Sequence, residues 1–357
     1  MPVAIVTGSS GLVGATAVPI LIDSGYEVVG IDNDMRAYFF GSEASTAGTA
    51  QRLAEAHDGF RWLTVDIRSR EEIDRIFADV ADRLDLVVHA AAQPSHDWAA
   101  REPLTDFGIN ATGTLNLLEA TRTHAPQATF AFISTNKVYG DLPNELPLEE
   151  GATRLELSTD HRFFDGIDTS MSIDHSTHSL FGVSKAAADL LVQEYGRYFG
   201  MPTVCFRCGC ITGPAHAGAE LHGFLAYLMK ATATGSPYTV FGYGGKQVRD
   251  NIHAGDLARA CLAFHRDPKV AAVYNLGGGR HANCSMLEAI GACEQIAGRE
   301  LQWQLSEQAR IGDHRWWISE LGGFQRDYPE WSLSYDVDGL LREIFEANAE
   351  RWEVAVP

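Results

Sequence analysis

The chain has 357 residues, 28 Lys and Arg against 47 Asp and Glu for a formal charge of -19, and 45% hydrophobic residues. That length exceeds what one small core usually holds and points to one large α/β domain or a main domain with a smaller partner. So acidic a surface excludes nonspecific binding to nucleic acid or an anionic membrane, because phosphates are held by clustered Lys and Arg; any anionic ligand needs a local basic site.

The first residues, MPVAIVTG, read as a strand entering a Gly-rich turn and lack the n-region and cleavage site of a signal peptide. No run approaches the roughly 20 apolar residues of a membrane span, so a cytoplasmic protein is expected. Continuous apolar runs follow in YEVVGIDN, FRWLTVDI, LDLVVHAAA and TFAFISTNKVYG, as expected of parallel strands buried on both faces. Helical spacing separates them in GLVGATAVPILIDSG, SREEIDRIFADVADR and NATGTLNLLEATRTHA. This alternation predicts an α/β fold, a doubly wound parallel (Rossmann) sheet with a smaller C-terminal α/β substrate lobe. The expected division is residues 1–205, plus about 239–265, for the sheet domain, and 206–238 with 266–357 for the smaller lobe. Residues 34–58 and 141–178 are too long for simple connections, and long loops at strand ends are often functional. Cys205, Cys208 and Cys210 include a CxxC spacing without a second Cys/His pair, so buried thiols are expected and no metal site.

Gly8, Ser10, Gly11, Leu12, Val13 and Gly14 form the turn from the first strand into the first helix, where a pyrophosphate can approach backbone N–H groups. Asp32 closes the second strand 18 residues beyond Gly14, where an acid accepts from a ribose hydroxyl and repels a 2′-phosphate, favouring NAD over NADP. Asn33 adjoins it, and Arg36 is the neighbouring cation able to pair with a phosphate. The TGxxGxxG spacing resembles the extended short-chain dehydrogenase/reductase family, the NAD-dependent sugar-nucleotide epimerases and dehydratases. The resemblance implies that Asp66 and Ile67 contact adenine, that Ala90, Ala91, Ala92 and Gln93 lie beneath the cofactor, and that Asn110 holds another family position.

The family also carries a Ser or Thr after the fifth strand and a helical Tyr-x-x-x-Lys, with Tyr and Lys on one helical face so that Lys depresses the Tyr hydroxyl pKa and holds the nicotinamide ribose. Here Thr135 and Asn136 stand in STNKVYG, and Lys185 is present, but Phe181 occupies the Tyr position. Phe has no proton to exchange. Three readings stay open: a position altered to trap substrate, an enzyme with another base, or a protein that binds without turnover. The second expects His178 or His175 as substitute base, since an imidazole titrates in the required range, with Thr135 or a water near Lys185 as alternative relays.

On the substrate side the resemblance implies that Arg249 and Arg310 take the nucleotide diphosphate, with Cys208, Gly209, Cys210, Gln247 and the ELHGFLAYL segment, including Glu220 and His222, lining the sugar and nucleotide. DNDMRAYFFG, STNKVYGDLPNE, ELHGFLAYL, GYGGKQVRDNIH and YNLGGG are most similar to the CDP-paratose (CDP-tyvelose) 2-epimerase branch. That implies NAD-dependent inversion at C2 in carbohydrate biosynthesis, with a 4-epimerase or a dehydratase or decarboxylase as the alternative and a noncatalytic NAD and nucleotide-sugar binding protein as the alternative of another class. A homodimer is implied through the apolar face of KAAADLLVQEYGRYF, which could also simply pack on the sheet.

Overall fold

Aliphatic runs with no polar face can be buried only between layers, and here five strands form most of a parallel sheet, one of whose edge strands, Phe60–Leu63, is partly exposed. These are β1 (Val3–Thr7), β2 (Glu27–Ile31), β3 (Phe60–Leu63), β4 (Leu84–His89) and β5 (Thr129–Thr135). The sheet order is β3-β2-β1-β4-β5, continued by Thr203–Cys208 and Ala272–Leu276 to seven strands. The computed structural model describes residues 1–216, 223–308 and 312–354. In the register of β1, Thr7 lies beside Ile31 of β2 and His89 of β4, so the loops after all three strands open at one edge. The helices follow their apolar spacing. Arg70–Val80 buries Ile73, Phe77 and Val80 and carries Glu71 and Glu72 in its first turn, where acids favour the positive helix end.

Two compact units are present. Unit 1 comprises Met1–Val138, His178–Arg207 and Leu257–Tyr274, and unit 2 comprises Tyr139–Thr177, Cys208–Asp256 and Asn275–Pro357. Residues 139–177 and 239–256 therefore pack in unit 2, and 266–274 in unit 1, unlike the division expected from sequence. Long-range packing is the reason for the first. Tyr139 is fully buried in unit 2, donates to Asn275 Oδ1 at 2.8 Å and stacks on Trp317. Each unit has its own core: Ile5, Val29, Phe77, Val87, Phe130 and Phe132 are among the residues of the first, and Leu228, Val240, Ile290, Leu341 and Phe345 of the second. Unit 2 packs helices Phe224–Thr234, Met286–Ala297 and Val337–Asn348 on one another, the second opened by a capping box of Ser285 and Glu288.

The stretch 34–58, too long for a simple connection, is mostly helical, with Met35–Phe40 and Ala47–Ala56 joined by a short 3-10 turn. Asp34, in the left-handed region at φ 54°, anchors it by accepting from Ser45 Oγ and from the Thr46 backbone N–H. The six cysteines are thiols, with no disulfide among the described residues, and Cys205 and Cys208 are buried.

Candidate functional site

In unit 1 the Gly-rich turn is shaped by close approach. Gly8 has φ 66°, and a Cβ there would lie 2.8 Å from the Ala91 backbone nitrogen; a Cβ on Gly14 would lie 2.2 Å from the Gly8 carbonyl oxygen. Larger residues would push the turn away from β4 or away from its own helix. Helix α1 (Leu12–Asp23) begins after Gly11, which has no side chain to cap it, so Leu12, Val13 and Gly14 present first-turn N–H groups at a positive helix end. This is the donor set a dinucleotide pyrophosphate requires.

Asp32 is positioned by its own loop, its Oδ2 accepting from Ser10 N–H at 3.0 Å and its Oδ1 from Asp34 N–H at 2.9 Å. Burial raises its pKa despite these donors. Asn33 donates to Asp66 Oδ2 at 2.9 Å, which joins the ends of β2 and β3. Burial would raise Asp66, but the Arg68 guanidinium and backbone N–H outweigh it and hold the carboxyl below its usual range. Ile67 is buried against Gly113, where a Cβ would come within 2.6 Å of it. Burial lowers the Arg36 pKa, and its guanidinium lies over the Phe40 ring.

The HAAA segment is fixed by a directional chain of hydrogen bonds. Thr114 Oγ1 donates to the Asn110 carbonyl at 2.6 Å, so it accepts from His89 Nε2; His89 Nδ1 then accepts from Thr7 Oγ1 at 2.7 Å, which itself accepts from Ala91 N–H. Burial, with the Lys185 charge adding to it, holds the His89 imidazole well below its usual range and so neutral. Ala90, Ala91 and Ala92 remain half-buried, with no side chain to keep a ligand from the backbone.

Gln93 and Asn110, by contrast, are committed to the protein. Asn110 sits in a π-helical turn, Gly108–Thr112, and donates to the Gln93 carbonyl, Asp106 Oδ1 and Ser184 Oγ; its Oδ1 accepts from Gln93 N–H. Gln93 Nε2 also donates to Asp106 Oδ1, and Ser184 Oγ donates to the Phe181 carbonyl. The network locks the loop after β4 to the first turn of the helix Leu180–Phe199.

That helix is capped by Ser179, whose Oγ accepts from Gly182 N–H at 3.1 Å. Lys185 is 3% exposed, donates to the Ile133 carbonyl at 2.8 Å and lies 4.1 Å over the Phe132 ring. Thr135 Oγ1 accepts from Lys137 N–H, and Asn136 is buried beside it. Phe181 is 7% exposed. His178 donates from Nε2 to the Val138 carbonyl at 2.8 Å, whereas His175 is exposed at φ 57°.

Sequence reasoning missed two groups here. His96 meets the Phe181 ring at 5.0 Å between centroids and bonds through Nδ1 to Ser179 Oγ at 2.7 Å. The buried Asp189 takes a bidentate contact from Arg207 at 3.1 and 2.7 Å, with Ser134 and Gln193 donating to it as well. Apart from Gln193, one helical turn from Asp189, the partners are 18 to 85 residues apart, so no local spacing marks either pattern.

In unit 2, Arg249 is buried on the strand Val248–His253 and donates to Asp313 Oδ1 at 2.7 Å and to the Val248 carbonyl at 2.8 Å. Burial lowers its pKa, but Asp313 outweighs that and raises it. Asp250 is fully buried; Oδ2 accepts from Ser319 and Gly279 N–H, and Oδ1 has no partner among the described residues. Burial pushes its carboxyl up to about 6. A Cβ on Gly209 or Gly277 would lie 2.0 Å from this carboxylate, so both glycines are explained by Asp250. Cys208 is buried and Cys210 half-buried, and Gln247 donates to the Phe241 carbonyl. Glu220, His222 and Arg310 lie outside the described residues. Among the described residues no group of three His, Cys, Asp or Glu side chains could hold a metal ion, and no helix is long and apolar enough to cross a membrane.

Residues 4–277 match the profile of the NAD dependent epimerase/dehydratase family. The chain is 28% identical over 328 residues to CDP-paratose 2-epimerase of Salmonella typhi, which covers 89% of this chain and 90% of that protein. It is 30% identical over 345 residues to dTDP-glucose 4,6-dehydratase of Neisseria meningitidis, covering 94% and 84%. UDP-glucuronic acid 4-epimerase of Bacillus cereus, solved with UDP-glucuronic acid and NAD, has the same fold at a TM-score of 0.76 and 24% identity over 98% of this chain and 99% of that one.

Proposed function

The chain belongs to the NAD-dependent epimerase/dehydratase family, and on that premise we propose that it inverts C2 of a CDP-linked sugar. Bound NAD supplies an acceptor that takes hydride from a sugar carbon and gives it back. The glycine turn and helix α1 hold the pyrophosphate, Asp32 accepts from the adenosine ribose, Ala90 to Ala92 let the cofactor approach, and Lys185 holds the nicotinamide ribose. Thr135 bonds the reacting hydroxyl. In unit 2, Arg249 and Arg310 take the substrate diphosphate, Arg249 turning part of its guanidinium from Asp313.

The similarity to CDP-paratose 2-epimerase over nine-tenths of both chains carries this reading. A dehydratase is favoured by the comparable similarity to dTDP-glucose 4,6-dehydratase, but in that chemistry an acid usually stands beside the catalytic hydroxyl, and Thr135 is followed by Asn136 and Lys137. The protein acts in the cytoplasm as a homodimer. Leu190, Leu191, Ala187, Leu115 and Phe107 line an apolar groove between helices of unit 1 that a second copy covers. The test is to denature purified protein and assay released NAD, then incubate fresh protein with CDP-, UDP- and dTDP-linked sugars in deuterated water. C2 inversion of a CDP-sugar without deuterium uptake supports the reading; loss of water, inversion at C4 or deuterium at the inverted carbon overturns it.

A further inference from the structure

Arg249, the described cation of the anion site in unit 2, already holds groups of the protein, and a second guanidinium stands near it. We propose that Arg315 and Tyr243 bind the diphosphate of the nucleotide, guanidinium and phenol donating to its oxygens beside Arg249; this rests on the reading that unit 2 takes a nucleoside diphosphate.

Arg249 is 9% exposed and gives Nη1 to the Val248 carbonyl and Nη2 to Asp313 Oδ1, so a ligand must share it with both. Arg315 is half-buried, and its side chain makes no hydrogen bond or ion pair with a described residue. Its guanidinium carbon lies 5.9 Å from the centre of the Tyr243 ring. The carboxylates around it are engaged by other cations, Asp313 by Arg249 and Glu150 by Lys246, each at 2.7 Å. An arginine left unpaired in a chain of charge -19 presents its planar fork to an anion from outside.

The mounting is specific. Asn144 clamps residues 313–315 from both ends, donating to the Asp313 carbonyl at 3.0 Å and accepting from Arg315 N–H at 2.6 Å. The Arg315 carbonyl accepts from Val248 N–H at 3.0 Å, which sets its backbone next to the residue before Arg249. Trp316 and Trp317 then pair with Val248 and Arg249, and both indoles are fully buried, which anchors the segment.

Tyr243 is presented by the turn between Phe241 and Gln247. Its φ of 54° is costly for a residue with a Cβ, and Gly242, Gly244 and Gly245 around it also have positive φ. Lys246 holds the turn by donating to Glu150 and to the Gly151 carbonyl, and Gln247 closes its foot by donating to the Phe241 carbonyl at 3.2 Å. Burial raises the Tyr243 pKa and Asp313 adds to it, while Arg249 and Arg315 oppose it and Asp141 adds last. The phenol therefore keeps its proton as a donor, within the field of both guanidinium groups, and its hydroxyl has no partner among the described residues. Gln247, 6% exposed, has an Oε1 that accepts from no described group, an orphan that a ligand hydroxyl would satisfy.

The test is calorimetric titration of NAD-loaded protein with CDP and, separately, with inorganic pyrophosphate. Arg315→Gln should weaken CDP by about tenfold or more, as expected for a lost charge-assisted contact, with Tm and NAD content unchanged. Pyrophosphate should weaken alongside CDP, since the contact is to phosphate. Arg315→Lys keeps a point charge without the fork and should fall between wild type and Arg315→Gln. Tyr243→Phe keeps the ring and should weaken CDP by about three- to tenfold. Arg315→Gln within about threefold of wild type for CDP, a loss that pyrophosphate does not share, or an equal loss of NAD overturns the assignment of Arg315. Wild-type affinity in Tyr243→Phe overturns that of Tyr243. If UDP or dTDP binds wild type more tightly than CDP with the same dependence on Arg315, the CDP-linked reading falls and the anion site stands. If no nucleoside diphosphate binds wild type, the anion site falls as well.

Discussion

The two units present different chemistry. Unit 1 presents backbone: an uncapped helix end, three alanines without reach, and a turn whose Gly8 and Gly14 are required by approaches of 2.2 to 2.8 Å. Most of its polar side chains are spent holding that backbone, as Gln93, Asn110 and His89 illustrate. Unit 2 presents charge instead, with Arg249 paired to Asp313 and Asp250 buried behind two glycines. A site made of backbone tolerates side-chain substitution if the framework holds, whereas a site made of buried charge responds to pH and to the loss of one partner.

The largest effect expected is on the framework. Asp189→Ala leaves Arg207 buried without its bidentate partner, and about 3–5 kcal/mol of stability should be lost in denaturant unfolding. Replacing both by Leu and Met should recover most of it, and failure to do so would mean that the Ser134 and Gln193 bonds matter more than the ion pair.

In unit 2 the expected signature is pH dependence. Asp250 rises from 3.8 in the unfolded chain to about 6 in the fold. The folded state therefore binds the proton more tightly, folding takes one up between those values, and stability falls as pH rises from about 4 to about 6, by about 3 kcal/mol. Asp250→Asn keeps an acceptor for Ser319 and Gly279 and should lack this slope, so that wild-type stability minus variant stability falls across this pH range. An unchanged slope would place the titration elsewhere.

Binding effects are smaller. Asp32→Ala removes a charged acceptor and should weaken NAD by about 10- to 100-fold in calorimetric titration of the apo protein, with less effect on NADP, which gains from the lost repulsion. Arg249→Lys keeps the charge but loses the planar fork, and about tenfold weaker CDP-sugar binding is expected with NAD binding unchanged. If NAD weakened equally, the contrast between backbone and charge would not hold.

What could be read in the sequence was local. Alternating apolar runs gave the sheet, TGSSGLVG between a strand and a helix located the cofactor turn, and Lys185 was marked by the resemblance to the family's Tyr-x-x-x-Lys. These signals survive because strand and helix periods and tight turns involve residues within a few positions of one another. Residues 34–58 showed the limit, since their two short helices depend on Asp34 gripping Ser45 and Thr46 eleven and twelve positions away.

The tertiary structure decided the rest. Only folding sets His96 beside Phe181, 85 positions on; closes Asp189 on Arg207; backs Asp250 onto Gly209 and Gly277; and commits Gln93 and Asn110 to holding a helix. A buried polar group must find its partner wherever the chain happens to pass, because leaving it unpaired costs more than any local preference supplies. Sequence by itself therefore determined the fold class and the backbone cradle, while which polar groups meet around Phe181, Asp189 and Asp250 waited for contacts that no spacing encodes.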